Sequence, residues 1–278
     1  MLLIPAYNEE ARIEPVLREY AAFFERNYVG KFQLVVILNG CRDNTLGVVQ
    51  RVTREFSSID WRDFPQPIGK GGALIEGLKL AFHADLIGYV DADGATGPAA
   101  VLKLLPLLNE ADCVVGSRWL PDSVLVKAQP RFRRFISRGF HSVVEVLFWM
   151  HIQDTQCPCK LMRREAAEKI QADLHIADLA FDVNLLVAMK RHGCSVIEAP
   201  VEWTDKVGSK VTSSLFRSSM SMLMSVIRLR LVYSPFRGLL RPFKPIEAFL
   251  YRKLRQPPPR SRDKKDDKKN EPGTDGST

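Results

Sequence analysis

The stretch Leu86-Ile-Gly-Tyr-Val-Asp91-Ala92-Asp93-Gly-Ala-Thr96 decides how the rest of the chain is read. Its apolar run, Leu86 to Val90, predicts a short buried strand that leads straight into two carboxylates. Residues i and i+2 of an extended backbone share a side, so Asp91 and Asp93 can face one ligand. Gly94 follows, as expected where the backbone needs a positive φ or a close approach. Two hard oxygen donors at a strand end suit Mg²⁺ or Mn²⁺. Mg²⁺ is usually held by one or two carboxylates, with phosphates and water completing its shell. The pattern points to a divalent ion clamped onto a diphosphate, although Asp-x-Asp-Gly also closes ordinary turns.

The flanking sequence separates these two readings. Leu2 to Pro5 predicts a strand, and Asn8 an N-cap, with Glu9 and Glu10 in the first turn of a helix running to about Phe24. Phe32 to Leu38 is continuously apolar, as in strands buried on both faces. Asn39 to Thr45 makes a turn, Asp43 can cap a helix reaching about Phe56, and Ile59 to Phe64 predicts a third strand. Gly69-Lys70-Gly71-Gly72 then opens a helix to about His83. It lacks the spacing of a P-loop, but a lysine at a helix start can meet a phosphate. Pro98 starts a helix, and Ala111 to Gly116 is another strand. This alternation predicts a mostly parallel α/β sheet with ligands outside the carboxyl ends of its strands. Asn8, Asn39, Asp43, Lys70, Asp91, Asp93 and Arg118 all follow a predicted strand or open the next helix. They converge on one edge, which favours the metal–diphosphate reading.

The second half is less regular. Asp122 to Pro130 reads as a loop, and Arg131 begins an apolar helix ending near His151. Gln153 to Lys160 is polar and turn-like, and Arg163 to Ile170 is a short helix. Leu179 to His192 is a helix with Phe181 and Asp182 near its start. Ser195 to Trp203 reads as one strand, followed by a loop holding Lys210. Ser213 to Tyr233 and Pro245 to Leu254 are helical patterns with arginines among Leu, Met and Ile. Residues 256–278 are Pro-rich and then charged, a composition that predicts disorder. The expected division is thus 1–212 as the globular domain, 213–255 as basic amphipathic helices and 256–278 as a tail.

Composition bounds the function. Of the 278 residues, 46% are hydrophobic and 26% charged, enough for a sizeable core. The net charge of +8 is local: residues 206–255 hold eleven Lys and Arg against one acid, while 1–205 carry a slight acidic excess. Such a foot suits an anionic membrane surface, or packs on the domain with a solvated basic face. A nucleic-acid partner is not expected, because no aromatic stacking platform accompanies the charge. No signal peptide pattern or run of about 20 apolar residues is present. Five cysteines, an odd number, fit a reducing compartment better than a disulfide framework.

Taken together, Ile4-Pro-Ala-Tyr-Asn-Glu9, the Asp91-Ala-Asp93 pair and Gly116-Ser-Arg118 resemble the family 2 glycosyltransferases. That resemblance implies the GT-A fold, a Rossmann-like nucleotide-diphospho-sugar transferase sheet. Gly69 to Gly72, Asp91 to Thr96, Gln153-Asp-Thr-Gln-Cys157, Phe181-Asp182 and Trp203-Thr with Gly208-Ser-Lys210 are similar to the dolichyl-phosphate β-glucosyltransferases and, less closely, mannose synthases. The similarity covers about residues 2 to 233. It implies an inverting, metal-dependent transfer from a nucleotide-sugar, UDP-glucose by preference, to a polyprenyl phosphate at the cytoplasmic membrane face. It places Asp91 and Asp93 on the metal and diphosphate, with Ala92 between them, and Pro5, Tyr7, Glu9, Asn39, Asp43 and Lys70 about the nucleotide. Arg118 and Lys210 are expected near phosphates, and Gln153 with Asp154 near the sugar. Many relatives have Asp-Asp-Gly-Ser where this chain has Leu38-Asn39-Gly40-Cys41, and Gly-Phe in place of Pro158-Cys159. A phosphate acceptor needs positioning and charge screening. A lipid or glycan hydroxyl would need a base, for which Asp182 is the residue to watch, unless it is a helix-start carboxylate facing the dipole. A nucleotide-sugar-binding protein without turnover is the remaining alternative, and the intact carboxylate pair speaks against it.

Overall fold

A computed structural model describes residues 1–80, 83–127, 131–204 and 215–234, with only the backbone described at 125–127, 131–137 and 215–219. Lys210, the side chain of Arg131, most of the basic segment and the whole 256–278 tail lie outside the described residues.

The elements run β1 (Leu2–Ala6), α1 (Ile13–Asn27), β2 (Leu34–Asn39), α2 (Thr45–Thr53), β3 (Ile59–Phe64), α3 (Lys70–Leu78), β4 (Leu86–Tyr89), α4 (Pro98–Leu104), β5 (Cys113–Ser117), β6 (Val124–Lys127), α5 (Arg131–Phe148), β7 (Lys160–Arg163), α6 (Arg164–Ile170), α7 (Phe181–Arg191), β8 (Val196–Pro200), β9 (Glu202–Thr204) and α8 (Leu215–Val232). Seven strands form one sheet in the order β3-β2-β1-β4-β7-β5-β8, and β6 and β9 form a small second one. Among the described strands, the ladders are parallel except those of β7, which runs antiparallel to both β4 and β5, and an isolated antiparallel bridge joins Thr96 to Trp203. The expected mostly parallel α/β sheet is therefore present.

Each face of the sheet carries its own apolar layer. Strands β1 and β2 are buried on both faces, so alternate side chains feed opposite layers. Leu3, Val35 and Ile37 pack with α3, α7 and α8, while Leu2, Ile4, Val36 and Leu38 pack with α1, α2 and α4. The sandwich fixes the sheet's carboxyl edge, where the candidate residues Asn39, Asp91 and Arg118 end or follow their strands.

Several local expectations are corrected. Asn8 is not an N-cap: its φ is +54° and its Oδ1 accepts from the Arg42 amide at 2.7 Å, so α1 begins at Ile13. The stretch read as a loop from Asp122 contains β6, which pairs with β9. The single strand expected over Ser195 to Trp203 divides at Val201, whose amide reaches Ser117 O, and its second part joins the small sheet. The short helix expected from Arg163 begins at Arg164, after a strand, Lys160–Arg163, where a turn was expected. That strand, β7, has only four residues and opens with a lysine. It is held at the sheet's centre by Gly88, where a Cβ would lie 2.2 Å from Leu161 Cδ2 and 2.7 Å from Lys160 O. Finally, α8 has one face in the core, through Val226 and Leu229.

Candidate active site

The start of α3 and the end of β4 build the first half of the site. Asn39, at the end of β2, accepts the amides of Ile68 at 2.7 Å and Gly69 at 3.2 Å through Oδ1, which pins the loop entering α3. Gly71 packs so tightly against the 176–181 turn that a Cβ would sit 2.4 Å from Ile176 O. This braced helix start puts Lys70 Nζ 2.6 Å from Asp91 Oδ1, with both side chains partly open to solvent. Burial raises the Asp91 carboxyl, Lys70 opposes it, and Asp93 adds to the rise, so its pKa stands above the usual aspartate value. For Lys70, burial is outweighed by Asp91 and Asp182, so its pKa is raised. Two residues on, Asp93 Oδ1 accepts the Ala95 amide at 2.9 Å, and Gly94 turns the chain at φ +68°.

Arg118, Asp154 and Trp203 form the second half. Asp154 is buried and receives Arg118 Nε at 2.7 Å, its terminal nitrogen at 2.8 Å and its backbone amide at 3.0 Å. Such a fork-on-carboxylate geometry fixes the guanidinium plane. Burial would raise the Asp154 carboxyl, but Arg118 holds it below its ordinary value. The Arg118 guanidinium also lies 5.3 Å from the centre of the Trp203 ring. Glu198 on β8 accepts the amides of Gln153 at 2.7 Å and Asp154 at 2.9 Å, which anchors the 153–157 loop. Trp203 bridges to Thr96, and the Thr204 amide donates to Ala95 O at 2.9 Å. The carboxylate turn and the arginine are thus joined through β9.

Between the halves lies a fully buried ion pair. Lys160 Nζ is 2.6 Å from Asp182 Oδ1 and also donates to the carbonyls of Cys157 at 2.7 Å and Thr155 at 3.2 Å. Tyr89 Oη donates to the same Asp182 oxygen at 2.5 Å. Burial pushes the Asp182 carboxyl up, but Lys160, Lys70 and the hydrogen bonds bring it below its ordinary value. Lys160, Tyr89, Glu198 and Trp203 were absent from the expected site set. Their signals in the sequence were Trp203, which opens one of the blocks of family resemblance, and Lys160, the only charged residue from 155 to 162.

Of the remaining candidates, Pro5, Tyr7 and Glu9 lie at or after the end of β1, Asp43 follows β2, Ala92 follows β4 and Gln153 precedes β7. Tyr7 is exposed, Pro5 is partly buried and Ala92 is buried. Glu9 donates its amide to Thr45 Oγ1 at 2.8 Å and grips Arg12 with its carboxylate. Asp43 accepts the amides of Thr45 at 3.1 Å and Glu10 at 3.3 Å, so it joins the two loops. Gln153 is exposed, whereas Lys210 is outside the described residues.

No cluster of three or more His, Cys, Asp or Glu side chains able to hold a metal occurs among the described residues. Asp91 and Asp93 nevertheless fit an ion that takes one or two carboxylates and completes its shell with diphosphate and water. The ammonium of Lys70 seated on Asp91 shows that this carboxylate is placed to meet a cation.

Comparison with known proteins extends this geometry. The model of the family described as "Glycosyl transferase family 2" matches residues 1–171. The dolichyl-phosphate beta-glucosyltransferase ALG5C of Trichomonas vaginalis is 33% identical over 239 residues, covering 82% of this chain and 71% of the relative. The dolichyl-phosphate beta-glucosyltransferases of Dictyostelium discoideum and Homo sapiens are 32% and 30% identical, covering 84% and 85% of this chain and 74% and 76% of theirs. Among solved structures, glucosyl-3-phosphoglycerate synthase from Mycobacterium tuberculosis, in complex with Mn²⁺, UDP and glucosyl-3-phosphoglycerate, aligns with a TM-score of 0.61. The identity is 18%, over 82% of this chain and 78% of that one. The same enzyme with Mg²⁺ and UDP aligns at 0.60, with 16% identity over 82% and 78% of the two chains. The sheet order and the extent of these matches agree: the chain belongs to glycosyltransferase family 2 and has the GT-A fold.

Proposed function

We propose that this glycosyltransferase moves glucose from UDP-glucose to a dolichyl-type polyprenyl phosphate, with inversion, at the cytoplasmic face of a membrane. The relatives named dolichyl-phosphate beta-glucosyltransferase support a glucosyl group and a dolichyl-phosphate acceptor. The observation that carries the acceptor class is the enclosure of Asp182. Its carboxylate is 2% exposed as a residue and bound by Lys160 and Tyr89. Its lowered pKa also makes it a poor proton acceptor. A hydroxyl acceptor would require a base, whereas a phosphate monoester arrives as an anion.

In this reading an acceptor phosphate oxygen attacks the anomeric carbon from the side opposite the leaving group. A new C–O bond forms as the bond to UDP breaks, and no proton has to move. Asp91 and Asp93 would hold Mg²⁺ or Mn²⁺, which supplies screening of diphosphate charge when bound. Lys70 adds positive charge beside the same carboxylate, and Arg118 is held rigid by Asp154 and Trp203. Charges fixed before the reaction cost little reorganisation as the leaving group becomes anionic. The Lys160–Asp182 pair acts as a strut that ties α7 to the 153–157 loop.

The test is a panel of nucleotide-sugars offered with polyprenyl phosphate and Mg²⁺ or Mn²⁺, with the lipid product identified by mass. Glucosyl transfer from the UDP donor is expected, lost on chelation and restored by either ion. An absence of transfer with every pairing would refute the proposal.

A further inference from the structure

Helix α8 carries apolar side chains on two opposite sides. Its inward face is set by Ser225, Val226 and Leu229, all fully buried. At about 100° per residue, Met220, Met224, Ile227 and Leu231 fall together on the opposite side, within an arc of about 60°. Met220 is 38% exposed, Ile227 46% and Leu231 37%. A helix packed on a soluble body ordinarily turns charged or polar residues outward. Here the outward stripe is apolar, and Arg228 and Arg230 fall on either side of it.

We propose that this stripe is the bilayer contact of the protein, with α8 lying in the lipid interface parallel to the membrane plane. The inference rests on the membrane-surface part of the proposed function. It specifies the face and residues involved. Three observations favour lipid over a protein partner. No Asp or Glu occurs from 206 to 246, so the whole segment around α8 is suited to anionic headgroups. The flanking arginines can keep their charge in the headgroup layer while the stripe enters the acyl boundary. Beside Arg230, in the cleft that also holds Arg191 and Tyr233, Trp149 is 77% exposed. Its backbone has φ +54°, and the adjoining carbonyls of Phe148 and Trp149 are held by Lys190. An exposed tryptophan among arginines matches the chemistry of a membrane–water interface. No described helix is long and apolar enough to cross a membrane.

The docked helix is also wired to the site. Ser225 Oγ donates to Asp178 Oδ2, while Asp178 Oδ1 accepts the Ala180 amide at the start of α7. The same turn supplies Ala177 O to the Gly72 amide at the start of α3. Lipid contact through α8 therefore sits one turn away from the segments that carry Lys70 and Asp182.

The experiment compares the full chain with its Ile227→Glu/Leu231→Glu variant by co-sedimentation with phosphatidylglycerol-containing vesicles. Transfer is then measured to vesicle-embedded polyprenyl phosphate and to a short, water-soluble isoprenyl phosphate. The expected result is about tenfold or greater loss of vesicle binding. Transfer to the embedded acceptor should fall in parallel, while transfer to the soluble one and the thermal midpoint stay unchanged. Unchanged vesicle binding would overturn the inference. So would conversion of a dimer to a monomer with vesicle binding intact, which would assign the stripe to a second copy of the chain. Should the double variant not fold, Ile227→Trp replaces it. A blue shift of its emission on adding vesicles, beyond the shift shown by the wild-type tryptophans, supports the inference, and no added shift overturns it. A wild-type protein that binds vesicles through the stripe yet transfers no sugar to either acceptor would refute the proposed function alone.

Discussion

Two of the ion pairs of the site differ in their access to water. Lys70 and Asp91 are partly open, so their charges remain available to a ligand; Lys160 and Asp182 are closed off and hold each other. The contrast predicts different outcomes on substitution. Asp91→Asn and Asp93→Asn should each lower sugar transfer by about a hundredfold or more while leaving the thermal midpoint near wild type, because charge screening of the leaving group is lost and packing is not. Near-normal turnover would remove them from the site. Lys160→Met leaves a buried carboxylate without its cation, which should cost about 3–5 kcal/mol in denaturant unfolding. The double variant Lys160→Met/Asp182→Asn should recover part of that loss. Additive losses in the cycle would show that the two side chains do not act as a pair.

Among the elements, the approach of α3 to the 176–181 turn sets the site most directly. Gly71→Ala places a methyl 2.4 Å from Ile176 O, against backbone that cannot swing aside. A loss of about 1–3 kcal/mol in stability is expected, with a raised KM for the nucleotide-sugar as Lys70 shifts. An unchanged KM would separate the helix start from donor binding. At the neighbouring loop, Asn39 serves the structure through its Oδ1, an acceptor that aspartate also provides. Asn39→Asp should therefore keep the unfolding midpoint, while Asn39→Leu should lower it by leaving two amides without their partner. Equal midpoints for the two variants would show that the bracing contributes nothing.

For the molecule as a whole, the two buried aspartates set the acid limit of stability. Asp154 and Asp182 are both held below the ordinary aspartate value by Arg118 and Lys160, against the opposing effect of burial. As pH falls, the unfolded chain takes up these protons first. The stabilisation is complete above about pH 4 and is lost progressively below it, as the pH passes through the folded values. Thermal midpoints should drop in that window, and less steeply in Asp182→Asn than in wild type. An equally steep drop would mean that Asp182 does not titrate as the geometry implies.

The division between what sequence determined and what folding decided follows the range of the interactions. The alternation of strands and helices, the carboxylates at the end of β4 and the lysine opening α3 are local patterns, legible because periodicity and turn chemistry act over a few residues. Six of the seven strands of the main sheet were visible in this way. Strand β7 was not, because four residues beginning with Lys160 carry too little periodicity, and their place between β4 and β5 depends on Gly88 making room. Likewise, Arg118 and Asp154 were both singled out, but their grip spans 36 residues of chain and Trp203 joins it from further still. The aspartate pair itself came from sequence. Lys160 joined the site only through the fold, since whether a buried charge is tolerated depends on the partner that tertiary packing brings to it.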